Sequence, residues 1–588
     1  MSATYPRQDH TGLARVVPLI GWLRHYDRNV LRHDLVAGLT VAVMLVPQSM
    51  AYATLAGMPA VTGLYASIVP LVVYALLGTS GSLAVGPVAI TALMTGAALA
   101  PLAEGDPARY AALAALLALL VGAIQLLLGV LRLGVLVNFM SHPVLSGFTS
   151  AAAIVIAASQ LKDLFGLNMG RADTFPQTLA ALWDSAGTAH ALTIGVSLVS
   201  VLTLVLLRRY VPRLPGALLV VAGITAVSAA FSLGERGVRI LSHVPAGLPA
   251  PALPSLSGQD LQALLPAAIA IALVAYLEGI AVAKTLAAKS RQQVAPDQEL
   301  VAVGAANVAA GLFQAFPVAG GFSRSAVNFS AGARTPVATL VTAAMVAVTA
   351  LLLTPAFHHL PRAVLAAIVV VAVLGLVDGR GAAATWRVRR ADGLALGLTF
   401  LVTLILGVEP GLAAGVAFSL GVFLWRSARP HTAELGRVPG TDRYRNVQRF
   451  TGLLTDPRYA VIRVDGPLYF ANAQRLSDQL LGLAEQRAGL VAVVLDASAI
   501  TDVDTDGATA LAELRERCAA RGVAVHLATV RGPVRDLLDR AGVWRSVSEA
   551  GQVHPDIPTA LAAAGNPTAA DPAALAGVGG GAEVGRER

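Results

Sequence analysis

The chain predicts a polytopic α-helical membrane protein of 14 spans, followed by a small cytoplasmic α/β domain, and three observations carry that prediction. Hydrophobic residues fill 55% of 588 positions and charged residues only 13%, with a mean hydropathy of +0.67, far from the balance of a soluble domain. Apolar runs of about 20 residues, the length that crosses a bilayer, follow one another from Asp34 to Arg429. Two further runs are shorter and open on glycine-rich breaks, TSGSLAVGPVA at 79–89 and AGGFSRSA at 319–326.

Residues 1–33 carry Arg7, Arg15, Arg24, Arg28 and Arg32 without the apolar stretch of a cleaved leader, so this segment is expected to stay in the cytoplasm. Full-length spans are predicted at 35–57, 60–78, 108–131, 135–162, 189–208, 214–232, 261–285, 297–315, 335–356, 361–378, 391–408 and 411–427, with the interrupted segments at 84–100 and 320–334. The interrupted segments are third in each set of seven, on either side of a polar hinge near 233–260. The transport domain at 34–429 thus reads as two repeats, 34–232 and 260–429, and an odd number of spans in each makes them inverted. Basic residues agree with an N-terminus inside: twelve fall on inner loops, Arg208, Arg209, Arg389 and Arg390 among them, against six outside, Arg109, Lys162, Arg171, Arg236, Arg239 and Arg362. From 443 to 564, short β-rich runs such as YAVIRVDG and LVAVVLDAS alternate with helical patterns, the signature of an α/β domain. The Gly-, Ala- and Pro-rich tail at 565–588 is expected to be disordered.

Composition also narrows the function. One cysteine, Cys518, excludes an intrachain disulfide, and no cofactor or metal site is expected. The net charge of +8 is spread over loops and termini, which suits the positive-inside rule and not nucleic-acid binding. No span groups a nucleophile with a base and an orienting acid, so an enzyme is not expected.

The breaks point to a site. Non-helical backbone survives at membrane depth only where protein packs it or a wet cavity solvates it, and paired interrupted segments at matching repeat positions mark a midplane binding site. Two helix starts facing each other present unpaired N–H groups and partial positive charge, to which Arg324 adds a full one. A guanidinium at a helix centre costs at least ~2.5–3.5 kcal/mol, and an anion is its natural partner. Lysine occurs only at Lys162, Lys284 and Lys289, so the position of Arg324 informs more than its being arginine. Glu278, in LVAYLEGIAVAK, is the deepest acid; Ala281 and Val282 offer it no partner on its own helix face, so it needs a distant cation or a proton. Bringing an anion into an inside-negative cell costs ~2.3 kcal/mol per charge per 100 mV, and Glu278 is the clearest carrier of a co-transported proton, ahead of sodium. A standing Glu278–Arg324 ion pair is the structural alternative. Gln48 and Tyr52, in VPQSMAYATLAGM, share a helix face beside Pro47 and are placed to hydrogen-bond an oxyanion. Asn138 and His142, beside Pro143, read as packing and kink residues.

These motifs carry a resemblance. VPQSMAYATLAGMPAVTGLYASIVPLVVYALLGTS, SLAVGPVAI, SHPVLSGF, AYLEGIAVAK and GGFSRSAVNFSAG together resemble the SulP / SLC26 anion transporter family over residues 15–560. The resemblance implies a UraA-like 7+7 inverted repeat with core and gate domains, elevator-like movement, and a C-terminal STAS domain that often supports a homodimer. It places the central anion site on Gln48, Tyr52, Val88, Ala89, Phe322, Ser323 and Arg324, and matches Glu278 to the acid linked to proton coupling in plant-like sulfate carriers. Val88 stands where some relatives carry an aromatic residue, which implies a roomier pocket. In ITDVDTDGATAL, Asp506 replaces the phosphorylatable serine that related STAS domains carry before the glycine, leaving Thr505 as the nearby hydroxyl.

The expected function is secondary active transport of a small anion, coupled to protons, in the inner (plasma) membrane, with both termini cytoplasmic and lipid around a homodimer. Sulfate, bicarbonate, dicarboxylates and halides all remain open at this stage, because the charge of the site fixes sign and not shape. Two alternatives stand beside it: a nucleobase carrier of the same architecture, with no need of Arg324, and a membrane sensor that signals through its STAS domain.

Overall fold

The structure, a computed structural model, describes residues 16–24, 26–134, 141–169, 174–211, 215–241, 245–254, 257–290 and 292–565. They fall into two compact units that divide between Ser419 and Leu420.

The first half of the membrane unit runs through α1 (Pro18–Leu23), α2 (Arg28–Leu55), α3 (Ala60–Tyr65), α4 (Val69–Leu77), β1 (Val85–Gly86), α5 (Ala89–Leu99), α6 (Pro107–Val130), α7 (His142–Phe165), α8 (Phe175–Ser185), α9 (Ala191–Tyr210) and α10 (Gly216–Ala230). The second half follows with α11 (Gly258–Ser290), α12 (Pro296–Leu312), β2 (Ala319–Gly320), α13 (Phe322–Ser330), α14 (Val337–Val348), α15 (Arg362–Val373), α16 (Gly379–Val388), α17 (Arg390–Leu406) and α18 (Val408–Ser427), the helix within which the division falls. Helix forms at each of the fourteen predicted positions, and among the described residues eight helices are long and apolar enough to cross a membrane.

Local chemistry sets several boundaries. Asp27 accepts from the Val30 N–H at 2.7 Å and Asp106 from the Ala108 N–H at 2.8 Å, fixing the starts of α2 and α6. Pro143 stands in the first turn of α7, where its missing N–H costs nothing, so it opens that helix and does not kink it as the sequence had suggested; Asn138 lies outside the described residues. Two short amphipathic helices, α8 and α16, were not predicted, because a search for apolar runs of bilayer length passes over them. Thr174 and Gln177 close a capping box at the start of α8.

Small residues let the halves meet. A Cβ at Gly122 of α6 would lie 2.7 Å from the Gly304 carbonyl oxygen of α12, so these helices touch backbone to backbone. Around that contact α2, α4, α5, α6 and α11 to α14 form one bundle, while α7 packs on α15 and α17, and α15 on α9.

The second unit is a six-stranded sheet in the order β4-β3-β5-β6-β7-β8, made of β3 (His431–Arg437), β4 (Tyr444–Asn446), β5 (Tyr459–Asp465), β6 (Ala492–Asp496), β7 (Ala524–Ala528) and β8 (Val553–His554). Strands β5 to β8 are parallel, and β3 runs antiparallel to both neighbours. Helices α19 (Ala473–Gln486), α20 (Thr505–Ala519), α21 (Gly532–Arg540) and α22 (Val543–Glu549) bury Leu480, Leu514 and Leu538 with Val493 and Leu495 on one face. On the other face α23 (Ile557–Ala563) sets Leu561 in a core with Val461 and Val494. Burial on both faces explains the nearly continuous apolar runs of β5 to β7. Strand β3, with its polar HTAELGR, carries no such run.

Candidate functional site

The two breaks meet. Strands β1 and β2 pair antiparallel, Val85 opposite Gly320 and Gly86 opposite Ala319. Ties on either side extend the pair: the Gly321 N–H donates to the Ala84 carbonyl at 3.0 Å, the Ala84 N–H to Ser325 Oγ at 2.8 Å, and Asn328 Nδ2 to the Ser82 carbonyl at 3.1 Å. Helix α11 crosses directly behind, where a Cβ on Gly320 would stand 2.8 Å from the Cα of Gly279; only glycine fits.

Asn307 of α12 holds the approach to β2. Its Oδ1 accepts from the Val318 N–H at 2.7 Å and its Nδ2 donates to the Val318 carbonyl at 3.0 Å, so a side-chain amide takes the place of a strand partner. The same Nδ2 donates to Gln125 Oε1 at 2.9 Å, and Gln125 Nε2 donates to the Ala272 carbonyl at 3.0 Å, joining three helices. Sequence reasoning passed over both residues. Lone amides in charge-free runs, NVAAG and AIQLLL, were the signal available.

From the crossing, α5 and α13 start without a side-chain cap. The first backbone bonds closing these turns are donated by Ala92 and Ser325, which leaves the N–H groups of Ala89, Ile90 and Thr91, and of Phe322, Ser323 and Arg324, ahead of the ladder. Arg324 is 2% exposed, and its Nη1 donates to the Pro87 carbonyl at 2.6 Å, which lays the guanidinium between the two helix starts. Its Nε and Nη2 are buried without a partner. Those two atoms form the side edge of the guanidinium, two parallel donors of the geometry that a carboxylate or sulfate edge accepts. A cation in the first turn of a helix also opposes the dipole. The arrangement is satisfied by a negative ligand.

Helix α11 supplies the acid. Glu278 precedes Gly279 at the crossing, and its Oε2 is buried without a hydrogen-bond partner. No Glu278–Arg324 contact falls within ion-pair distance, so the standing pair considered from the sequence is not formed. One turn before Glu278, Ala275 packs with Val88 and Ala319 in a small apolar cluster, which makes Val88 part of the wall. Ala89, the first residue of α5, is buried beside it. Gln48 and Tyr52 are buried on α2, which packs on both α5 and α13. The structure therefore gathers Tyr52, Val88, Ala89, Glu278 and Arg324 about the crossing, with Gln48 one turn along α2. Phe322 is 55% exposed and Ser323 is exposed as well, and their backbone N–H groups lie ahead of the helix ladder at the start of α13. Among the described residues no group of three His, Cys, Asp or Glu side chains is arranged to hold a metal ion.

In the second unit Asp504 caps α20, accepting from the Gly507 N–H at 2.7 Å, and Gly507 is buried against the Leu468 carbonyl. Thr505 and Asp506 stand exposed in the first turn.

Comparison with known proteins places the chain among sulfate permeases. Residues 31–399 match the Sulfate permease family, and residues 453–560 match the STAS domain. A probable sulfate transporter of Mycobacterium tuberculosis is 39% identical over 93% of this chain and 97% of its own length. A chloroplastic sulfate transporter of Arabidopsis thaliana is 37% identical over 91% of this chain and 82% of its own. Among solved structures, the murine Solute Carrier 26 member A9 anion transporter in its inward-facing state superposes with a TM-score of 0.89 at 26% identity, covering 96% of both chains. The transmembrane domain of a cyanobacterial bicarbonate transporter gives 0.57 at 25% identity over 67% of this chain.

Proposed function

The chain belongs to the sulfate permease family, with its STAS domain, and is a multi-pass anion transporter and not an enzyme; from that premise we propose that it carries a sulfate-type oxyanion, coupled to a proton, across the inner (plasma) membrane. The single observation that carries the substrate class is the unpartnered Nε and Nη2 edge of Arg324 between two uncapped helix starts. A monatomic halide can sit between the two donors of such an edge but has nothing further to offer, whereas an oxyanion meets each donor with its own oxygen and offers further oxygens to the N–H groups of Ala89, Ile90, Ser323 and Arg324. Tyr52 and Gln48 complete the shell from α2, and Val88 closes it on the apolar side.

Glu278 is the proton carrier in this reading. A half-buried carboxyl whose Oε2 is shut off from water, and which lacks a cation at bonding distance, is held most cheaply as the neutral acid. An arriving anion adds negative charge beside it and favours proton uptake, so substrate and proton enter together. Movement is elevator-like, with the bundle that bears the crossing sliding past α7, α9, α15 and α17. Cytoplasmic termini, as the positive-inside count favours, and a homodimer complete the proposal.

Radiolabelled sulfate uptake into liposomes holding the purified protein, with the outside acid, tests it. Each charge-assisted hydrogen bond is worth about 1.5–3 kcal/mol, so Arg324→Ala is expected to raise KM for sulfate roughly 10- to 100-fold or more. Unaltered uptake by that variant would remove the site.

A further inference from the structure

Two buried carboxylates outside the anion site share one pattern of coordination. Asp34, near the start of α2 in the first half, accepts on Oδ1 from the backbone N–H groups of Arg334 at 2.8 Å and Thr335 at 3.2 Å. Its Oδ2 accepts from the Thr335 hydroxyl at 2.5 Å and the Tyr26 hydroxyl at 3.2 Å. Glu299, near the start of α12 in the second half, accepts on Oε1 from the N–H groups of Thr79 at 2.6 Å and Ser80 at 3.0 Å and from the Thr79 hydroxyl at 2.6 Å. Its Oε2 accepts from the Tyr74 hydroxyl at 2.9 Å. Each acid thus takes two successive backbone donors, a threonine hydroxyl and a tyrosine hydroxyl, and each reaches across to the loop that borders the broken segment of the opposite half.

The two clamped loops touch. A Cβ on Gly81 would lie 2.7 Å from the Arg334 carbonyl oxygen, so the turn held by Glu299 rests on the turn held by Asp34. Above them the Asn328 and Ser325 ties lead straight to β1, β2 and the start of α13. Both carboxylates are shut off from water, at 0% and 1% exposure, and neither takes part in an ion pair among the described residues. A buried carboxylate supplied with four donors and no cation is a device for fixing backbone.

We propose that Asp34 and Glu299 are a matched pair of positioning residues that lock the two interrupted segments into one rigid body and thereby set the spacing of the helix starts that bind the anion. Neither touches the anion. The inference rests on the anion-site reading above, because the spacing matters only if something binds between α5 and α13.

The test uses the full chain in liposomes, with sulfate as the probe, and Asp34→Asn and Glu299→Gln as variants. Each variant turns an NH2 toward groups that are themselves donors, so the clamp opens while the volume stays the same. Loss of a charge-assisted bond of this kind is expected to raise KM for sulfate roughly tenfold, with maximal rate changed by less than about threefold. The double variant is expected to fall well short of the product of the singles, since either one already loosens the shared body. Tyr26→Phe and Tyr74→Phe each delete a single bond without leaving a buried charge unmet; they keep the question open to refutation if the carboxamide variants do not fold, and each should raise KM about threefold. A merely structural role predicts the reverse, fewer folded molecules and a lower maximal rate at unchanged KM, and that result overturns the proposal. Amide hydrogen exchange supplies an arm independent of transport: either variant should speed exchange in both 79–86 and 319–325, and acceleration confined to the loop bonded to the mutated acid contradicts the shared body. A wild-type protein that moves no oxyanion defeats the substrate reading, while the exchange comparison still decides the clamp.

Discussion

Arg324 concentrates the chemistry in one residue, and its geometry makes its substitution informative. Lysine keeps the charge but presents a point donor in place of a two-pronged edge, so Arg324→Lys is expected to lose most sulfate affinity while narrowing the discrimination against chloride, read from competition in the uptake assay. Gly321 is the neighbouring test: a Cβ there would meet Arg324 Nη2 at 2.9 Å, and Gly321→Ala should raise KM for sulfate by displacing the guanidinium, with little change in unfolding temperature. Glu278→Gln should abolish the dependence of uptake on the proton gradient and leave exchange of anion for anion in place; uptake that still follows the gradient removes Glu278 as carrier. Arg324 and Glu278 were legible in the sequence because a formal charge inside an apolar run is conspicuous. Asp34 and Glu299 were not, since acids near the end of a span read as its boundary, and the partners that bury them come from the opposite half of the chain.

At the scale of elements, the interrupted segments were legible from their glycines and from their matching places in the two halves, but their pairing was not. Antiparallel contact between Val85–Gly86 and Ala319–Gly320 joins residues more than two hundred positions apart, and two-residue strands leave no alternation to read. The same tight packing makes the crossing fragile. Gly320→Ala forces a methyl group to within 2.8 Å of the Gly279 Cα, and overpacking of this kind costs about 1–3 kcal/mol, so a lower unfolding temperature is expected together with lost uptake. Strand β3 was hidden for a different reason: it lies toward the edge of its sheet, where polar side chains are tolerated and apolar runs do not form.

For the molecule as a whole, the helical membrane part and the α/β domain at the end follow from hydropathy and charge, because a bilayer permits so few solutions to backbone hydrogen bonding. The domain is expected to have its own acid sensitivity. His526 and His554 are buried on neighbouring strands with Nδ1 and Nε2 2.9 Å apart, and burial first, then the mutual repulsion of the pair at His526, holds both below the ordinary histidine value. A histidine so depressed stabilises the fold fully above about pH 6.5 and progressively less as pH falls below it, since the unfolded chain then binds the proton more readily. Amide exchange in β7 and β8 should therefore quicken between pH 7 and 5, and His526→Gln should flatten that response. The central claim, that two opposed helix starts and one guanidinium make a positive nest for an oxyanion, is tested most directly with selenate, whose selenium can be located by anomalous scattering in crystals of the full chain. The account predicts a selenium peak whose oxygens lie within hydrogen-bonding distance of Arg324 Nε and Nη2, lost in Arg324→Ala; selenate ordered elsewhere, with that edge of Arg324 still empty at saturating concentration, contradicts it.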